Sequence, residues 1–136
     1  MLEYEINDLK IFNDERGNVQ HGMKYNDKGS FGIEEVYFST VNYGFYKGWK
    51  KHQKMVLNLI VLEGKVLFYL ANSEFNEFKE IIISKDDAKR ISIMPNQWLA
   101  FTSLIKPYST IMNIANLTNN KDMTDNIPFF KPNLCK

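Results

Sequence analysis

Cysteine is nearly missing from this chain: Cys135 is the one thiol in 136 residues. No internal disulfide framework can exist, so the expectation is an exposed thiol in a reducing compartment. Proline (4) and glycine (7) are sparse and gather into no linker, repeat or low-complexity block. A single domain over residues 1–136 is therefore expected. Charge of one sign is also lacking, since 17 basic against 16 acidic residues leave a formal net charge of +1. That balance provides no field to attract nucleic acid or an anionic membrane surface. The longest apolar run, Met55 to Ala71, is broken by Asn58 and by Glu63-Gly64-Lys65. It falls short of the roughly 20 apolar residues a membrane-spanning helix needs. The start, Met1 to Ile6, has neither a basic leader nor an apolar signal core, so a cytoplasmic location is expected. Dinucleotide, Walker, zinc-protease, zinc-finger, CxxC and serine-hydrolase patterns are absent, and His21 and His52 are the only histidines, too few for a three-histidine metal centre.

What the chain does have is apolar material, 44% hydrophobic and 14% aromatic, enough for one core. β-Branched and aromatic residues come in short runs between Gly, Asn, Asp and Pro, a rhythm of strands. The runs are Tyr4 to Phe12, Gly17 to Tyr25, Ile33 to Val41, Phe45 to Trp49, Met55 to Glu63, Lys65 to Ala71, Glu77 to Ile83, Arg90 to Met94, Trp98 to Ser103 and Ser109 to Asn116. Such a series predicts an all-β sandwich or barrel. Glu63-Gly64 offers two positive-φ positions for a tight hairpin turn, and Lys85 to Lys89 suggests one helical turn. Residues 119–136 become polar and end in Ile127-Pro128-Phe129-Phe130-Lys131-Pro132, a tail that packs on its own barrel or on a second subunit.

Alternation sends Glu35, Tyr37 and Ser39 to one face of a strand and Val36, Phe38 and Thr40 to the other. Val36 and Phe38 are the natural core residues, which leaves the polar set facing solvent or a barrel cavity. Lys50 and His52 point together, and an ammonium beside an imidazole keeps the imidazole neutral, as a general base must be. On charge alone, Lys50-Lys51-His52-Gln53-Lys54 is an ordinary solvated turn. Asp14-Glu15-Arg16-Gly17 is a turn capped by Asp14. Its Arg16 is by default exposed, but suits bidentate phosphate binding if the turn faces a cleft. Ile93 to Trp98 is a proline-led turn entering a strand, with Trp98 as a core anchor.

Taken together, these motifs resemble the cupin deoxysugar-nucleotide enzymes, the dTDP-4-dehydrorhamnose 3,5-epimerases and the dTDP-4-keto-6-deoxyhexose 3,4-ketoisomerases, over about Ile11 to Leu117. Phe12-Asn13-Asp14-Glu15-Arg16-Gly17 is similar to the family's early D-x-R-G turn, and Glu35-x-Tyr37-x-Ser39 to its pocket strand. Lys47-Gly48-Trp49-Lys50 falls on the epimerases' Arg-Gly-Leu-His. Gly44 to Gly64 also keeps the spacing of the metal-binding cupin motif, with Lys50 and Leu57 where a histidine and a glutamate would ligate. A cation and an aliphatic side chain cannot replace those donors, so no metal or other cofactor is expected.

The resemblance implies a double-stranded β-helix, a homodimer, and proton transfer on a nucleoside-diphosphate 4-keto-6-deoxyhexose in deoxysugar or surface-polysaccharide biosynthesis. It implies His52 as base, Tyr37 as partnering acid and Lys50 as stabiliser of an enediolate. Arg16 and Lys47 are implied at the diphosphate, and Glu35, Ser39 and Asn113 at the substrate. Lys50 occupies the epimerases' catalytic histidine position, Asn113 that of their tyrosine acid, and Leu99 that of the second-motif histidine. A non-catalytic nucleotide-sugar-binding cupin, or a purely structural barrel, therefore remains the rival expectation.

Overall fold

The computed structural model describes residues 1–133, so Cys135 lies outside the described residues. Twelve strands follow in chain order: β1 Tyr4–Asp8, β2 Ile11–Asp14, β3 Gly17–Gln20, β4 Glu35–Asn42, β5 Tyr46–His52, β6 Leu57–Glu63, β7 Lys65–Ala71, β8 Phe78–Ser84, β9 Lys89–Ile93, β10 Trp98–Ser103, β11 Tyr108–Ala115 and β12 Thr124–Asn126. One sheet has the order β1-β9-β6-β11-β4 and the other β12-β5-β10-β7-β8, while β2 and β3 form a separate hairpin. Every pairing is antiparallel. The two sheets face each other as the double-stranded β-helix expected of a cupin.

Alternation decides what lies between the sheets. Leu57, Leu59 and Val61 from β6 meet Val66, Phe68 and Leu70 from β7, with Ile81, Ile83, Ile91 and Ile93 closing the interior. At roughly 1.5–3 kcal/mol per buried aliphatic side chain, this interior supplies the main drive for folding. The hairpin turn between β6 and β7 is tighter than its two-residue reading: only Gly64 takes a positive φ, 90°. A Cβ at Gly64 would collide with the Ser109 side chain.

Three further expectations are corrected. Tyr4 to Phe12 is two strands, because β1 joins β9 while β2 leaves the sheet to pair with β3. Lys85 to Lys89 holds no helical turn; residues 85–86 form a tight turn and β9 begins at Lys89. On β4 the inward and outward faces are opposite to the apolar rule. Val36 and Phe38 are 44% and 67% exposed, whereas Tyr37 and Ser39 point between the sheets. The reason is position: β4 is an edge strand, and among the described residues nothing buries Val36 or Phe38 on its outer face.

The C-terminal segment packs on the outer face of the second sheet. Phe129 stacks on Tyr46 at a centroid distance of 4.4 Å and on Trp49 at 6.0 Å, and Trp49 Nε1 donates to the Phe130 carbonyl at 3.1 Å. Trp98, expected as an anchor, stacks on Phe75 in the same cluster. Gly48 permits this approach, since a Cβ there would lie 2.9 Å from Phe129 N and 3.2 Å from the Ile127 carbonyl. Backbone atoms cannot yield as a flexible side chain does. Gly48→Ala is therefore expected to lift the tail and cost about 2 kcal/mol, an overpacking penalty. Thermal unfolding and a red shift of the Trp49 emission would register it, and an unchanged melting temperature would refute it.

Candidate active site

A cavity of about 410 Å³ opens between the sheets, floored by Leu57, Leu59, Leu99, Phe101 and Ile111. Its polar groups come from three strands and one turn: Tyr37 and Ser39 from β4, Lys47, Lys50 and His52 from β5, Asn113 from β11, and Asn119 from the turn at 119–121. Asn113 is opposite Tyr37 in the β4–β11 register. Its Oδ1 is buried and has no hydrogen-bond partner among the described residues, an orphan acceptor beside the cavity.

Strict alternation cannot explain why Lys47 and Lys50 share the cavity, since they are three residues apart. The register explains it. Leu99 pairs with Lys50 and Phe101 with Lys47, so β5 carries one more residue than β10 over this stretch. This β-bulge at Gly48-Trp49 re-aims the strand and places both lysines on the inner face. His52, two residues beyond Lys50, follows on the same face.

His52 is held from behind by a residue that sequence reasoning missed. Its Nδ1 lies 2.6 Å from Asp122 Oδ2, and the Asp122 side chain has no exposed surface. Asp122 Oδ1 accepts the backbone N–H of Lys54 at 2.9 Å and of Met55 at 3.0 Å. Burial pushes the Asp122 carboxyl up, but the His52 contact and these amide donors outweigh it and hold it below its ordinary value. Asp122 is thus an acceptor-only carboxylate, which assigns the proton of neutral His52 to Nδ1 and leaves the Nε2 lone pair for the cavity. Burial is the leading cause that lowers the His52 pKa; Asp122 opposes it, and Lys50 lowers it further. The imidazole is therefore neutral near pH 7, with the ammonium a smaller cause than burial. Asp122 follows a 3-10 turn at Asn119–Lys121 in a polar stretch without pattern, and no local signal pointed to it.

The opposite wall has a parallel arrangement. Tyr37 Oη donates to Glu35 Oε1 at 2.5 Å, and the same oxygen accepts the Asn119 N–H at 2.8 Å. Burial, then the neighbouring Glu35, pushes the Tyr37 pKa up to about 12. Glu35 therefore meets Tyr37 and main chain, and it is absent from the cavity lining. Asn119 does line the cavity. The short stretch 118–122 thus secures both walls, and Thr118 N–H and Lys121 Nζ also bind Glu34 at 3.1 and 3.2 Å.

Arg16 is not brought to this cavity. It sits on the β2–β3 hairpin with its guanidinium on Asp14 Oδ2 at 2.7 Å, beside a separate concavity lined only by residues of that hairpin. Among the described residues, no cluster of three His, Cys, Asp or Glu side chains is placed to hold a metal, and no helix is long and apolar enough to cross a membrane.

Comparison with known proteins agrees with this architecture. A family model described as FdtA: WxcM-like, C-terminal matches residues 2–130. No curated protein matches the sequence. Among solved structures, a dTDP sugar isomerase from Desulfovibrio desulfuricans superposes with a TM-score of 0.85 at 19% identity, over 93% of this chain and 85% of that one. QdtA, a sugar 3,4-ketoisomerase from Thermoanaerobacterium thermosaccharolyticum in complex with TDP, gives 0.75 at 23% identity over 87% and 83%. ChmJ, a 3'-monoepimerase from Streptomyces bikiniensis in complex with dTDP-quinovose, gives 0.75 at 13% identity over 89% and 69%.

Proposed function

The chain belongs to the FdtA (WxcM-like, C-terminal) family, and on that footing we propose that it is a 3,4-ketoisomerase of a nucleotide-linked 4-keto-6-deoxyhexose. The observation that carries this reading is the cavity's one imidazole, His52, with Nδ1 fixed on Asp122 and its second nitrogen left for a cavity that Tyr37 also lines. Epimerisation removes a proton from one face of a carbon and returns it to the other, which needs proton-handling groups on both faces. Moving a ketone from C4 to C3 needs only that a proton travel between adjacent carbons, and one base can serve both. Lys50, Leu99 and Asn113 in this cavity supply no second base of the usual kind.

In this mechanism Nε2 of His52 takes the C3 proton and electron density flows onto the C4 oxygen. The Lys50 ammonium stabilises the enediolate, an effect strengthened in a water-poor cavity. Return of the proton from His52 to C4 leaves the ketone at C3. Asn113 Oδ1 accepts a sugar hydroxyl, Ser39 adds a polar contact, and Lys47 at the rim meets the diphosphate. A contact between Arg16 and that diphosphate requires the hairpin of a second copy, in keeping with a homodimer.

The test is incubation with dTDP-4-keto-6-deoxyglucose in deuterated water. The expected result is a 3-keto product, read by NMR, with deuterium at C4 in the fraction of turnovers in which the His52 proton exchanges with solvent before its return, together with a raised melting temperature from ligand binding. Saturable binding with no product and no exchange at any carbon would instead identify a binding module that has lost its chemistry. Absence of thermal stabilisation by any nucleotide sugar would leave only a structural barrel.

A further inference from the structure

The isomerisation moves two hydrogens, and the mechanism above accounts for one. The C3–H bond breaks and a C4–H bond forms, while the O3–H bond also breaks and an O4–H bond forms. His52 cannot handle both at once, because its Nδ1 is committed to Asp122. Resting on the ketoisomerase reading, we propose that Glu35 and Tyr37 form a proton relay that carries the hydroxyl proton from O3 to O4.

The geometry supports this in three ways. Tyr37 lines the cavity and Glu35 does not, so the phenol is the contact group and the carboxylate stands behind it. The Tyr37 hydroxyl hydrogen already points at Glu35 Oε1, 2.5 Å away, which leaves the phenol oxygen's lone pairs to accept a hydrogen bond from a substrate hydroxyl. Glu35 is itself immobilised by the Asn119 N–H at 2.8 Å, on the segment that also supplies Asp122. Both proton-handling groups are therefore backed by a carboxylate, and both carboxylates are tied to one stretch of chain.

Energetics explain why the phenol alone would not serve. Its burial, with Glu35 alongside, disfavours the phenolate and makes Tyr37 a poor base by itself. In the relay no phenolate forms. As the O3 proton passes to the Tyr37 oxygen, the Tyr37 proton passes to Glu35; the reverse movement then delivers a proton to O4. The enzyme ends as it began, no electrons are exchanged with any other molecule, and the ketone has moved by one carbon. Glu35 acts through Tyr37 and is a positioning and proton-holding partner, a different role from the substrate ligand implied by resemblance.

The experiment measures, for each variant on dTDP-4-keto-6-deoxyglucose in deuterated water, both the rate of deuterium entry at C3 of the remaining substrate and the rate of 3-keto product formation. Glu35→Gln keeps the shape and removes the proton acceptor. Product formation is expected to fall about 10²-fold, the usual scale of a lost acid-base group, while C3 exchange driven by His52 falls far less. Tyr37→Phe, which leaves Glu35 in place, must show the same split, and Glu35→Asp must restore part of the turnover. If exchange and turnover fall in equal proportion in both variants, or if neither changes, the relay is overturned. Wild-type protein that neither exchanges nor converts the substrate would overturn the ketoisomerase reading itself and the relay with it.

Discussion

His52→Asn is expected to lower kcat by about 10³-fold, within the range a positioned general base contributes, while the dissociation constant for the nucleotide sugar changes by less than about threefold, under roughly 0.7 kcal/mol. The split follows from geometry. His52 supplies one edge of a cavity whose remaining surface is apolar floor and other polar groups, so binding survives loss of the ring. Asn is smaller and cannot take a carbon-bound proton, and its amide can still donate to Asp122. Isothermal calorimetry with substrate and a coupled turnover assay read the two quantities separately. An equal loss in both would mean that His52 only shapes the cavity, and unchanged turnover would remove it from the chemistry.

Asp122 is expected to matter for both stability and rate. Asp122→Ala strips the partner from His52 Nδ1 and from the Lys54 and Met55 amides at once. The Lys54 amide is exposed, and the part-buried His52 and Met55 donors cost about 1–3 kcal/mol each when orphaned, so a loss of about 3 kcal/mol is expected. For a domain of this size that corresponds to a fall of roughly 10 °C in melting temperature. Asp122→Asn keeps a carbonyl acceptor and most of the shape, and isolates the electrostatic part. Asp122 is the group that raises the His52 pKa against burial and Lys50. Removing its charge therefore lowers that pKa further, and the acid limb of kcat/KM moves to lower pH, with kcat down about 10²-fold because the ring tautomer is no longer enforced. Lys50→Ala removes a cause that lowers the same pKa, so its acid limb must move to higher pH. Shifts of the same sign in the two variants would refute the assignment.

The strand runs were legible because β6, β7 and β10 are dense in β-branched and aromatic residues, and turn residues bound them. His52, Lys50 and Tyr37 were legible as a set because motif spacing and two-residue alternation are local properties. The facing of β4 was not. Val36 and Phe38 satisfy the apolar rule, but which side of an edge strand is covered depends on elements elsewhere in the chain. Lys47 entered the cavity through a bulge that no residue pattern announces. Asp122 lay 70 positions from the imidazole it holds, in a polar stretch that read only as tail. Arg16 was recognised correctly as a turn residue, but a turn carries no statement of where its hairpin will lie.

The fully buried residues of the interior between the sheets end at Ala115, whereas Asp122 and Asn119, which hold His52 and Glu35, come after it. During synthesis on the ribosome, a nascent chain can therefore collapse around its aliphatic centre before its imidazole has a fixed tautomer. On the proposed mechanism, competence for turnover arrives last, only when the residues beyond β11 have emerged and docked, so a polypeptide interrupted at that point is expected to have its aliphatic centre but to be inert.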